Sequence, residues 1–261
     1  MTPDVDVTRL DEGVYIASRS LGGGEPDVRA ALFVGARRAV VVDTLARPED
    51  MAPLIDLIAA RGLPVVVVNT HADWDHAWGN AAFSAAPIVG HQLCRTRLLG
   101  ERERAVLARK RAEDDLFYAN VQLLPPDVTF ETTLRLDLGG LTVELHHAPG
   151  HQPDCLVAYV PERRLLYAGD CAEDPFPLLN SGPREGWIQA LRAWSARDLD
   201  TVVPSHGRIG GVELLKANAD YLAGLDHDEP PPVGTPDFYL EAHTSNQAVA
   251  RRLSPDADIS P

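Results

Sequence analysis

Cysteine is scarce in this chain. Cys94, Cys155 and Cys171 are scattered over 261 positions, which excludes a disulfide framework or a thiolate zinc cluster and fits a reducing compartment. Basic residues are also in short supply, 24 Lys and Arg against 38 Asp and Glu, for a formal net charge of −14. Nucleic-acid binding relies on cations that neutralise phosphates, so DNA and RNA are discounted as partners. No uninterrupted apolar run approaches membrane-spanning length. The opening MTPDVDVTRLDEG is acidic and lacks the basic start and apolar centre of a signal peptide. The expectation is a cytoplasmic protein with no membrane partner. The glycine triplet Gly22 to Gly24 is not followed by Gly-Lys-Ser/Thr and opens no helix, so it is read as a turn and not a phosphate loop.

What is present is ordinary for a globular chain, 45% hydrophobic and 24% charged, long enough for one large domain or two small ones. Its densest stretch is Val65 to Asn80, VVVVNTHADWDHAWGN. Four valines in a row describe a strand buried on both faces, and the polar cluster that follows falls at its carboxyl end, where α/β folds place their chemistry. His71, Asp73 and Asp75 alternate, so an extended backbone would point them the same way, and His76 follows directly.

Upstream, strands are expected at Leu10 to Ala17, Arg29 to Val34 and Ala39 to Asp43, the last two as a hairpin, with a helix from Pro48 to about Ala60. Downstream, a short helix is expected from Ala77 to Phe83, a strand from Pro87 to Gly90, and helix from Gln92 to Asn120 with a solvated, mixed-charge face. Strands follow at Leu134 to Leu138, Leu141 to His147, Leu156 to Val160, Leu165 to Ala168 and Thr201 to Val203. Helices are expected at Arg184 to Ala196 and Val212 to Leu225. DHDEPPPVGTPDF reads as a linker, Tyr239 to Leu253 as a closing helix, and the last eight residues as disordered. The division expected is a catalytic domain over 1–225 and a Pro-rich linker with a helical extension over 226–261 packed on the same domain.

Histidine and aspartate recur wherever a strand ends. His151 lies in APGHQPDC, Asp170 follows LLYAG, and His206 lies in PSHG, each in a turn beside Gly or Pro from which a side chain can be aimed at a shared point. Singly, each has a local explanation: Asp75 could cap the following helix, His151 could be a turn residue, and Asp170 could bond nearby backbone. His146 and His147, adjacent on a strand, face opposite ways. His91 and His227 read as local, His243 as a marginal substrate contact, and Cys155 and Cys171 as small apolar residues.

These motifs, in this order, resemble the metallo-β-lactamase superfamily of metallohydrolases, which includes glyoxalase II and the quorum-quenching lactonases. His71, Asp73, Asp75 and His76 match its His-x-His-x-Asp-His signature except at the second position, His151 its Pro-Gly-His turn, Asp170 its Gly-Asp and His206 its late His-Gly. The resemblance spans about Leu10 to Leu225. It implies a four-layer αββα sandwich with a dinuclear site at one edge, in which His71, His151 and position 73 bind one divalent ion, Asp75, His76 and His206 bind the other, and Asp170 bridges. By the same resemblance a metal-bound hydroxide cleaves an ester, thioester, lactone or amide of a small molecule, with Asp75 and Asp170 as the catalytic carboxylates.

Asp73 departs from the signature. A carboxylate there adds charge and a harder donor, so zinc leads but iron or manganese is admitted. The flavodiiron proteins of the same superfamily carry a glutamate there, which keeps a non-haem di-iron or di-manganese oxidoreductase as the alternative. The missing secretion signal argues against periplasmic antibiotic resistance, the acidic balance against the nuclease branch, and the short acidic tail against a glutathione thioester. The substrate is expected between the segment containing Asn180 and the C-terminal segment. The sequence leaves the oligomeric state open.

Overall fold

In the computed structural model, which describes residues 5–180, 183–227 and 229–253, nearly every strand divides its apolar residues between two faces. The expected disorder of the last eight residues lies outside the described residues. The first sheet runs in sequence order: β1 (Val5–Asp11), β2 (Val14–Arg19), β3 (Val28–Val34), β4 (Ala39–Val42), β5 (Val65–Asn69), β6 (Ile88–His91) and β7 (Val128–Phe130). It is antiparallel to β4 and parallel beyond, because from there each connection is a helical crossover. Those crossovers hold α1 (Ala52–Ala59), α2 (Trp74–Ala77), and the pair α3 (Gln92–Leu99) and α4 (Glu101–Glu113).

The second sheet takes β8 (Thr133–Asp137), β9 (Thr142–His147), β10 (Leu156–Val160), β11 (Leu165–Gly169) and β12 (Thr201–Pro204) in the order β12-β11-β10-β9-β8. Helix α5 (Arg184–Ser195) makes the parallel crossover from β11 to β12, and α6 (Val212–Gly224) and α7 (Asp237–Leu253) follow.

Alternation assigns the layers. On β4, Val40 and Val42 face the second sheet while Ala39 and Val41 face α1, and on β10, Leu156 and Ala158 face inward while Val157 faces α5. Phe33, Val68, Leu145 and Tyr167 fill the space between the sheets, Leu54 and Ile58 of α1 cover the first sheet, and Trp187, Leu191, Leu215 and Leu222 cover the second. Each such buried side chain contributes roughly 1.5–3 kcal/mol. The result is the αββα sandwich that the motif order implied. Among the described residues, no helix is long and apolar enough to cross a membrane.

Several boundaries differ from expectation for local reasons. The single strand expected over Leu10 to Ala17 is the end of β1 and the start of β2, reversed at Gly13. The helix expected through Asn120 breaks at Gly100 and ends at Glu113. The face read as solvated is only partly so, since Glu103 and Leu107 are buried. The helix expected to start at Ala77 starts at Trp74, which places Asp75 inside its first turn and not before it. Strand β7 escaped notice because it is three residues long, with Val128 exposed at the edge.

Candidate metal centre

Strand ends carry the site, as the recurrence of His and Asp suggested. After β5 the chain runs through Thr70, His71 and Ala72 to Asp73, at the N-terminal boundary of α2. An aspartate there ordinarily caps the helix, but the Asp73 side chain makes no capping bond. Its carboxylate turns the other way, towards His71 (3.5 Å) and His151 (3.2 Å). Gly169, with φ of 57°, ends β11 in a conformation that glycine adopts freely and leads into Asp170. Gly207, with φ of 85°, follows His206, and a Cβ there would lie 2.1 Å from the Asp174 carbonyl oxygen.

Two groups of donor atoms result, His71 with His151 and Asp170, and Asp75 with His76 and His206, all buried. Asp170 lies between them and turns one oxygen to each. Its Oδ2 is 3.6 Å from both His71 Nε2 and His151 Nε2, while its Oδ1 is 3.3 Å from His76 Nε2 and 3.6 Å from His206 Nε2. Asp75 Oδ2 lies 3.4 Å from His206 Nε2 and 3.7 Å from His76 Nε2. All seven residues named from the sequence are thus brought together, although not by simple alternation, because Asp73 and Asp75 face different groups.

Every imidazole is aimed by its other nitrogen. His76 Nδ1 donates to Asp43 Oδ2 (3.0 Å), His151 Nδ1 to the Leu178 carbonyl (2.9 Å) and His206 Nδ1 to the Asp27 carbonyl (3.1 Å). Thr70 Oγ1 donates to Asp43 and so has a lone pair for His71 Nδ1, 3.0 Å away. Those acceptors hold a proton on Nδ1 and aim each Nε2 inward, the orientation that suits a metal ligand once Nε2 is free of its proton. Asp43 was not singled out from the sequence, yet it orients His76 directly and His71 through Thr70. Its signal was available, for it too follows a strand, and its φ of 63° is a left-handed conformation that aspartate tolerates better than most residues. Replacing Asp43 by Asn is expected to weaken metal affinity about 10–100-fold, measured by competition with a chelator. Unchanged affinity would remove Asp43 from the site.

Asp73 has a partner that sequence reasoning missed. Arg97 of α3 bonds Asp73 Oδ1 from Nη2 and Asp154 Oδ1 from Nη1 (2.5 Å), with Glu103 Oε1 3.3 Å away. Asp154 in turn accepts from the Ala72 amide at 2.9 Å, which holds the loop carrying His71 and Asp73. Gln152 Nε2 also donates to Asp73 Oδ2, at 3.1 Å.

Charge compensation dominates the ionisation here. Burial alone would raise Asp73, Asp75 and Asp170, but the adjacent histidines outweigh it and hold all three below the usual carboxylate range. Burial would likewise lower the histidines, yet the surrounding carboxylates keep His76 well above its ordinary value, His151 at about 10 and His206 at about 9. Glu173 behaves oppositely, because burial and then Asp170 push it up to about 7. It accepts from Tyr239 Oη (3.0 Å) on α7. Asn246, also on α7, holds the loop that orients His151, accepting from the Leu179 amide (2.7 Å) and donating to the Pro177 carbonyl (2.8 Å).

Above the donors lies a cavity of about 280 Å³ whose walls include Leu21, Pro26, Trp74, Leu178, Asn180 and Phe238. The glycine triplet, read as a turn and not a phosphate loop, still matters, since Leu21 and Pro26 beside it wall the site. His243 lies elsewhere, bonded to Tyr221 Oη at 3.0 Å and packed by Phe176. Cys155 and Cys171 are buried and free.

A family model described as "Metallo-beta-lactamase superfamily" matches residues 23–206. Among curated proteins, a linear primary-alkylsulfatase from Pseudomonas sp. is 29% identical over 119 residues, covering 41% of this chain and 22% of that one. A hydroxyacylglutathione hydrolase from Synechococcus sp. is 28% identical over 144 residues, covering 52% of this chain and 46% of that one. This chain therefore spans less than half the length of either. A solved structure described as a metallo-beta-lactamase from Pontibacter korlensis superposes with a TM-score of 0.66 at 25% identity, covering 84% of this chain and 99% of that one.

Proposed function

This chain belongs to the metallo-beta-lactamase superfamily, and from that premise we propose that it is a metal-dependent hydrolase of a small-molecule ester, thioester, lactone or amide. The observation that carries the reading is Asp170, which presents one carboxylate oxygen to each of two donor groups. The residues fit two divalent ions on their own chemistry. Among the described residues, His71 Nε2, His76 Nε2 and Asp170 Oδ1 are buried with no hydrogen-bond partner, a costly state for polar atoms unless a cation faces them. One ion would be held by His71, His151 and Asp73, the other by Asp75, His76 and His206, with Asp170 between them.

Bound there, two divalent ions would lower the pKa of a shared water and polarise the scissile carbonyl. The chain's own residues supply the rest. Asp75 and Asp170, as carboxylates, accept hydrogen bonds without donating them and so would orient the protons of the attacking water. Asp43, Thr70, Leu178 and Asp27 keep the imidazoles in one tautomer. Trp74, Leu178 and Phe238 offer an apolar surface for the substrate and limit water beside the scissile bond.

Zinc is the metal expected, with the carboxylate at 73 also admitting iron or manganese. The test is metal analysis of protein expressed without supplement, followed by assay on a panel of thioesters, lactones and esters. Zinc with turnover supports hydrolysis, whereas iron with an oxygen-dependent spectral change would overturn it. The Asp73→His variant is expected to shift bound metal further towards zinc. Metal content and activity unchanged from wild type would show that Asp73 does not coordinate.

A further inference from the structure

Helix α4 turns a stripe of residues four apart, Arg102, Val106 and Lys110, towards the centre. Lys110 lines the cavity above the donor groups. Arg102 and Val106 line a second cavity of about 430 Å³ that shares Asp73, Trp74 and Asn180 with the first, and Arg252 of α7 adds another cation to it.

Other basic residues of α4 have partners. Arg104 donates to the Leu99 carbonyl at 2.7 Å, Arg109 pairs with Glu113 at 3.9 Å, and Arg111 donates to the Val121 carbonyl at 2.7 Å. Lys110 and Arg102 form no ion pair among the described residues. The Lys110 ammonium lies 3.8 Å from the Trp74 ring centroid and 5.9 Å from that of Tyr118. An aromatic face positions a cation without cancelling its charge, whereas a carboxylate would cancel it. In a chain of net charge −14, this positioned cation, without an ion-pair partner among the described residues, lines the reaction cavity. The remaining wall is apolar at Leu21, Pro26, Leu178 and Phe238 and acidic at Glu25 and Glu173.

We propose that this stripe recognises an anionic group on the substrate. The substrate class is then an acyl compound with an apolar body and a carboxylate remote from the scissile bond, the carboxylate set against Lys110 and a longer tail reaching Arg102. This rests on the hydrolase reading, which supplies the reaction at the adjacent centre. Trp74 joins the two parts, because it lies inside the donor motif and also seats the recognising cation.

Two measurements separate the proposal from the reading it rests on. Calorimetry of the zinc-loaded protein with 5-phenylpentanoate and with 5-phenylpentanamide should give at least about tenfold tighter binding of the anion, as one charge-assisted contact provides. The Lys110→Met variant, which keeps the stem on Trp74, should reduce that preference to below about threefold, and Lys110→Arg should retain most of it. Equal binding of both probes by the wild type, or an undiminished preference in Lys110→Met, would overturn the proposal, the latter assigning the anion to the metals alone. The second measurement compares kcat/KM for mono-4-nitrophenyl glutarate and 4-nitrophenyl pentanoate, whose ratio should fall in Lys110→Met through KM. Anion-selective binding without turnover of any ester, thioester, lactone or amide would leave the recognition site standing and remove the hydrolase reading.

Discussion

The Asp170→Ala variant is expected to cut kcat/KM by roughly 10³-fold or more and, on the proposed two-ion reading, to reduce bound metal towards one ion per chain. The size follows from what the carboxylate does. Its two oxygens face opposite groups at 3.3–3.6 Å, so deleting it takes a donor from each and opens the space between them. Two-ion stabilisation of a developing charge is worth several kcal/mol, and each 1.36 kcal/mol is a factor of ten in rate. Folding should survive better than activity, because among the described residues the Asp170 side chain meets the site histidines and bonds no backbone group of the sandwich. The check is metal stoichiometry alongside kinetics, and a fully active variant carrying two ions would refute the bridging role.

Methionine in place of Arg97 should destabilise the protein by about 3–5 kcal/mol, the usual penalty for removing one member of a buried ionic group. Arg97 is the guanidinium shared by Asp73, Asp154 and Glu103, and Asp154 is fully buried. Burial pushes Glu103 up while Arg97 opposes it, so the substitution would leave carboxylates crowded together without a counter-charge. Chemical denaturation of chelator-treated protein measures this apart from metal binding. An unchanged midpoint would mean that solvent already compensates these groups. Arg97→Lys should recover only part of the loss, because one ammonium cannot span Asp73 and Asp154 as the guanidinium fork does.

The sandwich and its donor groups were legible because both depend on short-range pattern. Consecutive valines on β4 and β5 announce buried strands, and His151, Asp170 and His206 each stand where such a strand stops. What escaped was set by distant packing. Arg97 looked like one charge among many on a helix, and nothing local shows that Asp73 and Asp154 meet it across 24 and 57 residues of sequence. Lys110 was lost in the same way, since a helix face is known to be solvated only once its neighbours are placed. Asp43 differs, because it obeys the strand-end rule, standing directly after β4. The helix boundary at Trp74 moved for a physical reason: Asp73 stands where a cap would, but its carboxylate is directed into the site.

The two candidate donor groups draw on both sheets, His71, Asp75 and His76 from the chain after β5, and His151, Asp170 and His206 from turns after β9, β11 and β12. Whatever occupies them therefore acts as a rivet through the sandwich, holding one half to the other at its open edge. A ligand present at a hundred times its dissociation constant adds about 2.7 kcal/mol to the folded state. On the proposed function that increment would come and go with the metal, so metal supply would set the stability of the fold as well as turnover.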